Sequence, residues 1–135
     1  MEIEKQLVES AQAQIGNLQY QTIVTSAGHT VIADEPEDMQ GGDTGMNPYS
    51  LLLASLASCT AITLRMYITR KMWVVEHITV KTNLYKNENG TLIERQLSFK
   101  GELTDEQKNR MVQIANACPI HKILIGNIEI QTILG

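Results

Sequence analysis

The chain lacks an excess of positive charge. Eleven Lys and Arg stand against fifteen Asp and Glu, a formal net charge of −4. A nucleic-acid surface needs a positive excess to meet phosphate, so that class of partner is not expected. The basic residues are also dispersed, with Arg70 and Lys71 the only adjacent pair. Cysteine is scarce: two thiols cannot staple a small secreted fold, and in a reducing compartment they are either inert or redox-active. The opening MEIEKQLVESAQAQIG carries Glu2, Glu4 and Glu9 rather than a basic start and an apolar run. No secretory signal is expected there, and a cytoplasmic location is. No repeat, low-complexity tract or long linker divides the chain, so its 135 residues are expected to form one domain, 1–135.

What is present is a globular composition, with 43% hydrophobic and 19% charged residues. From Val8 to Asp34 the pattern is a β-meander. Gly16-Asn17 and Ala27-Gly28 mark turns, Leu18, Tyr20, Thr22 and Val24 alternate with polar residues, and His29 to Ala33 is a third short strand. EPEDMQGGDTGM, Glu35 to Met46, is an acidic, glycine-rich loop, either mobile or following an unusual backbone path. Asn47-Pro48 then caps and starts a helix that should run to Lys71. The uncharged stretch Leu51 to Leu64 holds Ser55, Ser58, Thr60 and Thr63, which marks a buried core helix rather than a membrane span.

His77 to Tyr85 alternates as a strand with Ile78, Val80, Thr82 and Leu84 on one face. NENG, Asn87 to Gly90, turns the chain, with Asn89-Gly90 the strongest signal. Thr91 to Lys100 returns with Ile93, Leu97 and Phe99 on one face. Thr104 and Gln107 form a capping box for a second helix with the stripe Met111, Ile114, Ala115 and Cys118. Pro119 interrupts it, CPIHKILIG offers a further turn ending at Gly126, and Ile128, Ile130 and Thr132 suggest a final strand. The plan ββ(β)–α–ββ–α–β is α+β.

Cys59 lies about three turns inside the first helix, beyond the reach of the N-terminal dipole, and burial would raise its pKa. A reactive Cys59 therefore needs positive charge from another element. Arg95 falls on the apolar Ile93, Leu97, Phe99 face and needs an anion. A thiolate is one candidate; Glu76, Glu94, Glu102 or an escape to the sheet edge are the others. Cys118 and His121 supply at most two metal ligands and the other candidates are dispersed, so no metal site is expected.

The segments GGDTGMNPYSLLLASLASCTAITLRMYITRK and IERQLSFKGELTDEQKNRMVQIANACPIHKIL, with HTVIADEP near the start, resemble the osmotically inducible protein C / organic hydroperoxide resistance (OsmC/Ohr) family. The glycine loop, the NP helix start, the helix cysteine and the later CP cysteine occur in the family's order. The resemblance implies an α+β, OsmC-like fold with antiparallel sheets wrapped around long central helices in an intertwined homodimer. It implies thiol-dependent reduction of organic hydroperoxides with no metal, haem or flavin. Cys59 would attack the O–O bond and become a sulfenic acid. Cys118 would resolve it as a disulfide, and an external dithiol, often lipoyl-bearing, would reset the pair. Tyr49, Leu52, Ile62 and Met66 are the expected lining of an apolar substrate pocket.

Two departures mark a divergent branch. The family's peroxidases carry a thiolate-stabilising arginine in the N-terminal strands and a glutamate soon after the helix-start proline. Here no arginine precedes Arg65, and Tyr49 and Ser50 follow the proline. Arg95, with His121 as a second candidate, becomes the hypothesis for the missing cation. The alternative is a non-catalytic or sensor-type dimer that binds a small apolar or electrophilic ligand between subunits.

Overall fold

The computed structural model describes residues 5–135; Glu2 and Glu4 of the acidic start lie outside the described residues. The chain divides into two units, one ending at Leu51 and one running from Leu52 to Gly135.

The first unit holds a three-stranded antiparallel meander, β1 (Gln12–Ile15), β2 (Thr22–Ser26) and β3 (His29–Ala33), in the order β1-β2-β3. Leu18 and Tyr20 lie in the β1–β2 turn and not in a strand, and Tyr20 has φ 65°. Alternation alone cannot reveal a left-handed turn residue. The Ala27-Gly28 turn forms as expected, with Ser26 paired to His29.

The loop that follows is held to a fixed path. Asp34 is 2% exposed, and its carboxylate accepts from the N–H of Glu35 (2.8 Å), Gly42 (3.4 Å) and Thr44 (3.1 Å) and from the Thr44 hydroxyl. The Thr44 hydroxyl first, with the three N–H groups, holds the Asp34 carboxyl below the usual carboxylate range against the opposing effect of burial. The glycines allow this wrap, because a Cβ on Gly41 would collide with the Glu35 carbonyl and one on Gly45 with the Ile32 carbonyl.

Asn47 caps α1 (Pro48–Lys71) by accepting from Ser50 N–H at 2.8 Å. Arg70 and Lys71 in its last turn suit the negative end of the helix dipole. By length and composition α1 could cross a membrane. Its buried residues nevertheless include Thr60, and Arg65 donates from Nη1 to the Val75 carbonyl at 2.9 Å.

In the second unit β4 (Val75–Asn87) and β5 (Gly90–Gly101) form one long antiparallel hairpin. Its turn is centred on Glu88-Asn89, one residue earlier than Asn89-Gly90 suggests. Gly90 opens β5 at φ 131°, a value that favours glycine. The capping box forms in full: Thr104 Oγ1 accepts from Gln107 N–H at 3.1 Å, and Gln107 Oε1 accepts from Thr104 N–H at 2.9 Å. Helix α2 (Asp105–Ala115) lays Met111 and Ala115 against Leu64, Tyr67 and Ile68 of α1 and Val75 of β4.

Cys118 is not a member of α2. It is the N-cap of a separate short helix, α3 (Pro119–Ile125). The expected strand over Ile128, Ile130 and Thr132 does not form among the described residues. Nothing there pairs with that segment, and Ile130 is 85% exposed. Alternation marks a candidate strand, but a strand needs a neighbour to satisfy its backbone. The architecture is α+β with two antiparallel sheets.

Candidate functional site

Three elements of the second unit converge on two thiols. Helix α1 supplies Cys59, Thr60 and Thr63, β5 supplies Arg95, and the α2–α3 junction supplies Asn116, Cys118 and His121. Arg95 arrives because β5 alternates. Ile93, Arg95, Leu97 and Phe99 are each half-buried while the residues between them are exposed. Cys118 arrives because Pro119 stops α2 and begins α3, which leaves Cys118 at the junction, 0% exposed.

Arg95 is the hub. Its Nη1 donates to Thr60 Oγ1 at 3.1 Å, and its Nη2 donates to Asn116 Oδ1 at 2.8 Å and to His121 Nδ1 at 3.1 Å. All three acceptors are neutral. Of the carboxylates that could have claimed Arg95, Glu76 instead pairs with Lys100 at 3.2 Å, the one ion pair among the described residues. Burial works against the guanidinium charge, and the nearby sulfurs, Cys118 before Cys59, work in its favour.

Both cysteines are free, Cys59 half-buried and Cys118 buried, and the ionisation of each acts on the other. Their environments differ. Burial pushes the Cys59 thiol up and the Cys118 sulfur pushes it further, while the Ile120 N–H and the Thr63 hydroxyl pull the other way less strongly. Burial also acts to raise Cys118, but donors outweigh it: the Cys59 thiol, the His121 N–H, the Thr60 hydroxyl and the Ile120 N–H. The net direction is downward. No side chain makes a capping bond at the start of α3. The Thr60 hydroxyl donates to the Leu56 carbonyl at 2.7 Å and accepts from Arg95 Nη1 at 3.1 Å. The arrangement sets two thiols near a cation whose hydrogen-bond partners are all neutral.

A cleft of about 380 Å³ opens beside this cluster. Leu52, Leu56, Leu84, Ile93, Leu124 and Ile125 supply apolar walls, and Thr91, Arg95 and His121 are its polar and charged groups. Leu52 lies in it as expected. Ile62 and Met66 do not; they line a separate hollow with Glu76, His77 and Ile78. The reason is axial. Met66 follows Leu52 by fourteen residues, about 21 Å along a helix, and so meets the opposite end of the hairpin. Tyr49, 63% exposed, is not among the lining residues either. Thr60, Asn116 and Leu124 carry no signal in the sequence, because an Asn closing a helix and a Thr or Leu inside one are ordinary.

A two-thiol site on an α+β scaffold of antiparallel sheets and helices defines a class that sequence and structure comparison place among known proteins. The sequence profile described as OsmC-like protein matches residues 41–133, more than half of the chain. The chain belongs to that family. A search of the curated proteins found no match. Among solved structures, the fold is similar to an OsmC-like protein from Mycoplasma pneumoniae, with TM-score 0.75, 17% identity and coverage of 92% of this chain and 90% of that one. It is also similar to an organic hydroperoxide resistance protein, OsmC, from Legionella pneumophila, with TM-score 0.63, 22% identity and coverage of 92% and 93%. OhrB of Bacillus subtilis, an organic hydroperoxide resistance protein, matches with TM-score 0.61, 24% identity and coverage of 90% and 93%.

Proposed function

We propose that the protein is a cysteine-based reductase of organic hydroperoxides. The observation that carries this reading is the meeting of Cys59, Cys118 and Arg95, with no carboxylate on the arginine among the described residues. The attacking sulfur is Cys59, the half-buried thiol; Cys118 is fully buried and condenses with the sulfenic acid to form a disulfide. An external dithiol, free or lipoyl-bearing, reduces the disulfide. Arg95 stabilises the anionic sulfur and the developing alkoxide. The apolar cleft favours an alkyl or aryl hydroperoxide over hydrogen peroxide. Family membership and the names of the similar Legionella and Bacillus proteins support the reading.

The working form is a homodimer joined along α1, in which Leu52, Ile62 and Met66 are 42%, 56% and 62% exposed in the single chain. A thiol pair of this kind suits the reducing cytoplasm. The test is consumption of cumene hydroperoxide with a dithiol, which Cys59→Ser should abolish. Equal rates for the two proteins would end the catalytic assignment.

The upward-shifted Cys59 thiol favours a second reading, a sensor or ligand-binding dimer with little turnover. That reading expects an apolar ligand to bind equally well to Cys59→Ser, with no peroxide consumed by either protein.

A further inference from the structure

We propose that the hollow between the C-terminal end of α1 and α2 is a second ligand site, one that takes an aromatic ring carrying a phosphate group. The inference stands apart from the peroxidase reading, since no residue lining this hollow lines the cleft beside the thiols. Its volume is about 430 Å³, within the range of small-molecule sites. Tyr67 and Trp73 give it an aromatic wall, meeting edge to face with ring centroids 5.6 Å apart at 73°.

Three cations surround Tyr67. The Lys71 ammonium stands 5.6 Å from the ring centroid, and the Arg110 and Arg70 guanidiniums stand 5.9 Å and 6.0 Å from it. Any two of them therefore lie within about 12 Å of each other, little more than one screening length at physiological salt. The ring attracts each cation but cannot cancel their mutual repulsion. Among the described residues no carboxylate forms an ion pair with any of the three, although the chain as a whole carries −4. Arg70 and Lys71 answer the negative end of α1, but Arg110 sits midway along α2 and answers no helix end. Glu106, the one acidic side chain in the lining, is outnumbered.

The polar groups left over are donors. Arg110 donates from Nε to the Tyr67 hydroxyl at 3.2 Å and from Nη1 to Gln113 Oε1 at 2.9 Å, which leaves Nη2 without an acceptor among the described residues. Gln113 has committed its amide oxygen to Arg110, and Gln107 has committed its own to the Thr104 N–H. Both glutamines still offer an NH2 to the hollow they line, and Trp73 offers an indole N–H. These donors match the oxygens of a phosphate, and three cations suit its double charge better than the single charge of a carboxylate. The attached ring has Trp73 and Tyr67 to pack against.

Trp73 is the single tryptophan of the chain, so its fluorescence reports on this hollow. Wild type is titrated with phenyl phosphate, benzoate, inorganic phosphate and benzyl alcohol. Phenyl phosphate should change the emission saturably, with a midpoint that rises with added salt. Arg110→Gln should weaken it by at least about tenfold, the loss expected when a charge-assisted hydrogen bond is removed. Lys71→Gln, a change at an exposed side chain and so without risk to the core, should weaken it about threefold, as one exposed charge would. No saturable change with millimolar phenyl phosphate, or one that both variants leave unaltered, would overturn the site. Benzyl alcohol or benzoate binding as tightly as phenyl phosphate would overturn the phosphate, and inorganic phosphate doing so would overturn the ring.

Discussion

Arg95 donates from Nη2 to Nδ1 of His121 at 3.1 Å. A guanidinium can only donate, so Nδ1 must accept, and the imidazole proton sits on Nε2. This places a neutral ring beside a cation, with Nε2–H the ring's one N–H donor. It also ties Arg95 to α3 as firmly as to α1, where Thr60 accepts.

Removing the guanidinium should therefore disturb the thiols without removing either of them. In Arg95→Met the sulfur pair loses its cation, and thiolate formation should begin about one pH unit or more higher, a tenfold loss of thiolate at neutral pH. Arg95→Lys should restore little, because one ammonium on a flexible stem cannot reproduce a planar fork reaching Thr60, Asn116 and His121. Alkylation by iodoacetamide as a function of pH checks both, and superimposable curves for wild type and Arg95→Met would remove Arg95 from the mechanism.

His121 makes a separate, pH-dependent contribution. Burial first and Arg95 second hold its pKa below the ordinary histidine value, so the unfolded chain binds a proton there before the folded one does. Its stabilising contribution is complete above the unfolded value of about 6.5 and declines as pH falls below it toward the folded pKa. Urea unfolding across mildly acidic pH should show stability falling as acid is added, and His121→Gln should remove part of that slope. In the native protein the His121 ring resonances should titrate below the ordinary histidine value.

Most of the scaffold for this site was legible in the residues because it rests on local rules. Asn47-Pro48, the Thr104–Gln107 box and the alternation of β5 each act within a few residues, and each formed as expected. The inward face of Arg95 followed from period two alone. What escaped the sequence depends on distance in space. Asn116 matters only because β5 passes it. Apolar character groups Ile62 and Met66 with Leu52, but helical rise carries them to another hollow. The Ile128 to Thr132 strand failed because a strand is a pairing, and no sequence names its partner. The loop after β3 admitted two readings, and the buried Asp34 carboxylate favours a fixed path over mobility.

The exposed stripe on α1 bears on assembly. Exposed Leu52, Ile62 and Met66, with half-buried Cys59 between them, follow one another at spacings of seven, three and four, the spacing of a helix–helix seam. If that seam joins two subunits, Cys59 lies along it, and a charge at Ile62 should separate them. Ile62→Glu is expected to sediment as a monomer at micromolar concentration while keeping its helical circular dichroism. A variant that stays dimeric would place the interface elsewhere on the chain.

The glycine loop offers a prediction independent of chemistry. A Cβ at Gly45 would strike the Ile32 carbonyl, and backbone oxygen cannot rotate aside as a side chain does. Gly16 has nothing within 4 Å of its Cβ position, so it serves as the control. Gly45→Ala must push the loop away from β3 or bend β3 itself, a cost of about 1–3 kcal/mol if it resembles overpacking elsewhere. The same shift would disturb the Thr44 contacts to Asp34 and the bond from Asp34 N–H to the Met46 carbonyl at 3.1 Å. Gly45→Ala should therefore lower the urea midpoint and expose the 35–46 segment to limited proteolysis, while Gly16→Ala leaves both near wild type. Asp34→Ala should produce the same protease-sensitive loop without any steric clash, since it removes the acceptor around which the loop is wound. Resistance of the loop in Asp34→Ala would mean that the glycine contacts alone hold it.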